Sequence, residues 1–162
     1  MDKQHMGMGS GSTTPIFDIM QKFFKDDEWP TTQIEDKPIL RSSFKGTNGQ
    51  WFVYGQARDD KFQFIFYSVC ASNIPENKRA AIAEFLTRAN YGLIIGNFEM
   101  DYNDGEIRYK TSIDVEGDRL TAPLIKSVVY ANVSVMDRYL PGIMAVGFDN
   151  IEPTQAIHDI EG

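Results

Sequence analysis

The sequence is poor in the residues that most often carry chemistry. It holds one cysteine, Cys70, and two histidines, His5 and His158. A single cysteine cannot close an internal disulfide, which fits a reducing, cytoplasmic compartment. Zinc sites need three or four ligands, and one thiol with a histidine near each chain end cannot supply them. A nucleophile triad likewise lacks its base. No apolar run approaches the ~20 residues that span a bilayer, and the N-terminus lacks the basic, apolar, small-residue order of a secretory signal. Positive charge is short as well. Sixteen Lys and Arg face 23 Asp and Glu, a net charge of −7, which repels phosphate backbones and anionic lipids and argues against nucleic acid or membrane as a partner.

What is present is the composition of a globular domain: 162 residues, 42% hydrophobic and 12% aromatic, enough for one core. Residues 1–14, rich in Gly, Ser and Met without periodicity, read as a flexible leader. Residues 15–149 carry the periodic signal and form one domain, and 150–162 read as a polar tail.

Ile16, Ile19, Met20 and Phe23 recur at helical spacing after Pro15, with Thr14 as the expected cap. Between Thr31 and Leu40, Pro38 allows only short extended pieces at a sheet edge. Three strands follow, "ILRSSFK", "QWFVYGQA" and "KFQFIFYSVC", separated by the turns "GTNG" and "RDD". A second helix after Pro75 presents Ile82, Phe85, Leu86 and Ala89, and "NYG" stops it with Gly92 as a left-handed cap. Two more strands surround a turn. In the second, Ile107, Tyr109, Thr111 and Ile113 share one face, and Glu106, Arg108, Lys110 and Ser112 face water. A third helix is capped by Thr121, has a broad apolar stripe, and is expected to break or kink at Pro141-Gly142. The order α-β-β-β-α-β-β-α predicts an α+β fold with an antiparallel sheet.

The phrases "NKRAAIAEFLTRANYGLIIGNFEMD", "GEIRYKTSID" and "LIKSVVYANVSVMDRYLPGIMAVGF" resemble the YbjN family of bacterial proteins, over roughly Phe17 to Phe148. The sharpest marks are Asn-Tyr-Gly at the end of the second helix and Leu-Pro-Gly at Leu140–Gly142. The resemblance implies the fold of type III secretion chaperones: a strongly twisted antiparallel sheet with helices packed on it, commonly as a homodimer. It also implies a sensory transduction regulator without an assigned catalytic activity.

The acids Asp101, Asp104 and Glu106 invite a metal reading, but an EF-hand loop needs glycine sixth and glutamate twelfth. Counted from Asp101, Gly105 is fifth and Ser112 twelfth. Asn103-Asp104-Gly105 reads as a tight turn. Solvated acids at such a turn lack the burial that separates pKa values for acid–base work. Cys70 reads as a small buried hydrophobe. The triplet Asn132-Val133-Ser134 carries no glycosylation meaning in a cytoplasmic helix, and the glycines of 7–12 read as linker rather than a phosphate loop.

No enzyme and no cofactor is expected. The expected function is a protein- or peptide-binding module, chaperone-like or a regulatory adaptor in signalling or stress response. The expected dimer or docking surface is the third-helix stripe of Val128, Val135, Met136, Tyr139, Leu140, Ile143 and Met144. The alternative is a small-molecule sensor with a pocket under the sheet.

Overall fold

The computed structural model describes residues 14–162; the leader up to residue 13, with His5, lies outside the described residues. Helix α1 spans Pro15–Asp26. Strands β1 (Thr32–Gln33), β2 (Ile39–Lys45), β3 (Gln50–Arg58) and β4 (Gln63–Val69) follow, then α2 (Arg79–Asn90), β5 (Asn97–Met100), β6 (Ile107–Asp114), α3 (Ala122–Phe148) and α4 (Pro153–Glu161). The six strands form one antiparallel sheet in the order β1-β2-β3-β4-β6-β5. The α+β architecture is as expected, the short extended piece after Thr31 is the two-residue edge strand β1, and the helix α4 is an addition.

Strand alternation decides which face is buried, because successive side chains point to opposite sides. Trp51, Val53 and Ala57 of β3, Phe64 and Phe66 of β4 and Ile107 and Tyr109 of β6 are all buried. Each large side chain hidden this way contributes roughly 1.5–3 kcal/mol of transfer free energy. The helices cover this face. Helix α1 seats Met20 and Phe24 over Gly55, where a Cβ would lie 3.1 Å from the Met20 sulfur. The start of α1 is capped across the fold: Asp59 Oδ1 accepts from the N–H groups of Ile16 (2.7 Å) and Phe17 (3.2 Å), satisfying donors that helix geometry leaves without partners.

Helix α3 is fixed to the sheet by a buried polar knot. Asn132 is fully buried; its Oδ1 accepts from Ser68 Oγ at 2.6 Å, and Nδ2 donates to the carbonyls of Phe66 and Tyr109, each at 3.0 Å. Trp51 Nε1 donates to Ser68 Oγ at 2.8 Å, so the hydroxyl both donates and accepts. Thr111 Oγ1 donates to the Val128 carbonyl at 2.9 Å. The triplet at Asn132 is thus a structural joint, and no glycan could reach it.

Of the break or kink expected at Pro141, no break occurs: α3 continues through it for 27 residues. Proline removes the N–H that would bond to the carbonyl four residues back. That carbonyl belongs to Asp137, and it accepts from Asn48 Nδ2 at 2.9 Å instead. The Asp137 carboxylate accepts from the N–H groups of Thr47 (3.0 Å) and Asn48 (2.8 Å). The β2–β3 turn therefore takes over the bond that the helix gives up.

The segment read as a polar tail is in fact mostly helix. In α4, Pro153 and Ala156 are buried, and Glu161 accepts from Tyr139 Oη at 2.6 Å. The pattern was hard to read because so few of its positions are apolar.

Candidate functional site, the uncovered sheet face

With α1, α2 and α3 on one side, the opposite face of the sheet has no layer over it among the described residues. Its residues fall into cross-strand rows set by the register. Ser43, Phe52, Val69, Arg108 and Glu99 form one row, and Arg41, Tyr54, Tyr67, Lys110 and Asn97 the next. Ile39, Gln56, Ile65 and Ser112 follow. The centre is therefore aromatic and aliphatic, and Phe52 is 53% exposed. Contiguous apolar surface of this kind marks interaction sites more often than scattered exposed residues do.

Basic side chains lie across the rings. The Arg108 guanidinium sits 4.4 Å from the Tyr67 centroid and that of Arg41 5.1 Å from Phe52, both within cation–π range. Glu99 accepts from Arg108 Nε and pairs with Lys110 Nζ, each at 2.7 Å. Desolvation pushes the Glu99 carboxyl upward, but the bonds from Lys110 and Arg108 outweigh it and hold its pKa below the ordinary glutamate value. A depressed folded-state pKa stabilises the fold above the unfolded value near 4.3, and that contribution fades as pH falls through the folded value. Glu99→Gln should therefore cost up to about 1 kcal/mol at pH 7. The gap from wild type should close as pH falls below the ordinary glutamate range and through the depressed folded-state value, read from paired urea titrations.

The edges of the sheet are less accessible than its face. At β5, Phe98 N–H donates to Asn90 Oδ1 at 2.7 Å, and Asn90 Nδ2 donates to the Phe98 carbonyl at 3.2 Å. Asn90 acts as a one-residue strand partner and occupies the outward backbone groups of Phe98, in the middle of the edge that a foreign strand would need. This gives the Asn-Tyr-Gly mark a physical meaning, and Gly92 takes the left-handed backbone at φ +96°. The other edge, β1, is only two residues long.

The sequence-predicted stripe on α3 does not form a free surface. Val128, Met136, Tyr139, Leu140 and Ile143 are buried within the chain, and Val135 and Met144 pack partly buried against the core. The stripe is broad because α3 meets several elements. Tyr139 lies edge-on to both Phe85 and Phe98, and a Cβ at Gly142 would clash with Phe85 and Ile160. Of the residues that sequence reasoning missed, Phe52 and Tyr54 had a signal in "QWFVYGQA", where they alternate with Trp51 and Val53, and Arg41 had one in "ILRSSFK", where it lies between the buried Leu40 and Ser42. The covered side is also where a pocket under the sheet was expected, and Phe64, Phe66, Tyr109 and Met136 fill it with no exposure. A cleft of about 250 Å³ opens instead on the outer face, between Ile39, Tyr54, Tyr67 and Arg108.

The acidic hairpin tip is a turn. Asp101 Oδ1 accepts from Asn103 N–H and Asp104 Oδ1 from Glu106 N–H, and among the described residues no acidic or histidine cluster could hold a metal. Cys70 is buried, and desolvation raises its thiol pKa. Among the described residues no helix is long and apolar enough to cross a membrane.

A family model described as "Putative bacterial sensory transduction regulator" matches residues 17–144. The chain belongs to the YbjN family. Its structure is similar to the crystal structure of YbjN from E. coli, with a TM-score of 0.57, 11% identity, and coverage of 84% of this chain and 91% of that one. It is also similar to a chain of the HopA1–SchA chaperone–effector complex, with a TM-score of 0.51, 15% identity, and coverage of 78% and 94%. At such identities the likeness shows a shared fold. No curated protein matches the sequence significantly.

Proposed function

We propose that this YbjN-family chain is a non-enzymatic protein- or peptide-binding module, chaperone-like or a regulatory adaptor in bacterial signalling or stress response, acting in the cytoplasm. The observation that carries this reading is the uncovered sheet face, aromatic at its centre and crossed by arginines. Because Asn90 occupies the Phe98 backbone at the β5 edge and β1 is only two residues long, a partner docks by its side chains on the face rather than by adding a strand. The chaperone–effector complex among the similar structures supports a fold that can hold another polypeptide.

The test is suppression of aggregation of a chemically unfolded client at stoichiometric ratios, together with titration against peptides of alternating apolar residues. Wild type should hold the client. Phe52→Lys and Tyr54→Lys should bind at least about tenfold more weakly, since exposed aromatic anchors dominate such surfaces. Their melting temperatures should stay within about 3 °C of wild type. No client binding by wild type, or equal binding by the variants, would overturn the reading.

A further inference from the structure

Helix α4 lies in a groove between α2 and α3, and its own pattern describes what that groove takes. Pro153, Ala156, Ile157 and Ile160 recur at i, i+3, i+4 and i+7, the spacing of one helical stripe. Pro153 and Ala156 are buried, and Ile157 and Ile160 pack half-buried against the core. The groove is cut so that a helix can approach closely: a Cβ on Gly142 of α3 would fall 2.6 Å from Ile160 Cδ1 and would also strike the Phe85 ring of α2. At its end Tyr139 Oη donates to Glu161 Oε2 at 2.6 Å. We propose that this groove is a second peptide-binding site, one that takes an amphipathic helix of a partner protein and that α4 fills until the partner displaces it.

Helix α4 is lightly held for an element that covers a core. Its nine residues are fewer than the ~12–15 that keep an isolated helix formed in water, so α4 is helical only while docked. Thr154, Gln155, His158, Asp159 and Glu161 are exposed. The connection from α3 turns at Asn150, which holds φ +59°, and continues through the exposed Ile151 and Glu152. The family match includes Phe85, Tyr139 and Gly142 but ends at residue 144. The groove therefore belongs to the family domain, and its cover lies outside the matched stretch.

The occupant defines the chemistry of its replacement. The partner helix presents a small residue where Ala156 lies, aliphatic residues one and four positions on, where Ile157 and Ile160 lie, and then a carboxylate, where Glu161 accepts from Tyr139. Such a helix docks by its apolar stripe, as amphipathic helices do in apolar grooves. A longer helix that is formed before it binds gives up less conformational freedom than α4 does, and this lets it win against a tethered competitor, whose effective concentration is high. The groove is on the helical side of the sheet, so it is separate from the outer face and can be filled while a client is held there.

The experiment is an NMR titration of the isotope-labelled full chain with a synthetic peptide of residues 152–162, stapled between the exposed positions 155 and 159 so that it is helical in solution. Ile160→Asp places a charge over Gly142 and should release α4. This variant should bind the peptide at least about tenfold more tightly than wild type does, with shifts at the Phe85 and Gly142 amides, and a peptide carrying Ile160→Asp should not bind. In wild type the α4 amides should exchange with solvent ahead of the core. Tyr139→Phe removes only the hydroxyl, so it should speed that exchange about tenfold and leave the Val53 and Phe64 amides unchanged. Should Ile160→Asp unfold, Tyr139→Phe takes its place in the titration. Exchange of α4 only through global unfolding, a folded release variant that ignores the peptide, or shifts confined to Phe52 and Tyr67 would each overturn the proposal. Phe52→Lys should leave peptide binding unchanged, so the groove and the outer face are read separately.

Discussion

Asn132→Leu should lower the unfolding free energy by about 3–4 kcal/mol, because it keeps the volume of the side chain but removes every hydrogen bond of the buried knot. The Ser68 hydroxyl loses its acceptor at 2.6 Å, and the Phe66 and Tyr109 carbonyls lose the Nδ2 donor at 3.0 Å. Buried groups left without partners cost about 1–3 kcal/mol each. For a domain of this size the loss corresponds to roughly 6–16 °C in melting temperature. Differential scanning calorimetry reads this directly. A change below about 2 °C would mean that water replaces the amide and that the knot does not hold α3 to the sheet. Ser68→Ala added to Asn132→Leu should cost about 1–3 kcal/mol more, because it leaves the buried Trp51 Nε1 donor, held by the Ser68 hydroxyl at 2.8 Å, without an acceptor.

Gly105→Ala should cost a similar amount by a different route. Gly105 sits at φ +79°, and a Cβ there would be driven into the backbone carbonyl and N–H of Ile74. The left-handed backbone costs an L-residue about 1–2 kcal/mol, and overpacking against main chain that cannot swing away adds about 1–3 kcal/mol. The contact also carries the bond from Ile74 N–H to the Gly105 carbonyl at 2.9 Å. Nearby, Arg79 Nη1 donates to the Tyr102 carbonyl at 3.0 Å. The substitution should therefore loosen the join between the β5–β6 turn and the segment leading into α2. Amide exchange of Ile74 and Gly105 should rise ahead of global unfolding, while Gly117→Ala, whose Cβ would meet nothing, should cost only the backbone term.

Much of the sheet was legible in the sequence, and for a local reason. The alternation of Ile107, Tyr109, Thr111 and Ile113 against Arg108, Lys110 and Ser112 reports which side of β6 is buried, and the structure places these sets on the two faces accordingly. The third helix was legible as an apolar stripe, but its purpose was not. Whether Tyr139 faces a partner or Phe98 depends on contacts far apart in sequence, and no period encodes that. The same limit applied to Pro141, because the Asn48 amide that relieves it lies 89 residues from Asp137. Asn132 gave no signal beyond an unused triplet. The uncovered face was half visible: each strand showed its outward set, but only the packing of α1, α2 and α3 on one common side left that face open.

Asn90 has a consequence for how association must end. Strands added at an edge leave a new edge behind, so sheets that join sideways can propagate into fibres. Joining through a face uses up that surface and leaves nothing equivalent on the outside. By occupying the Phe98 backbone, one asparagine at the end of a helix withholds the middle of that edge from open-ended growth.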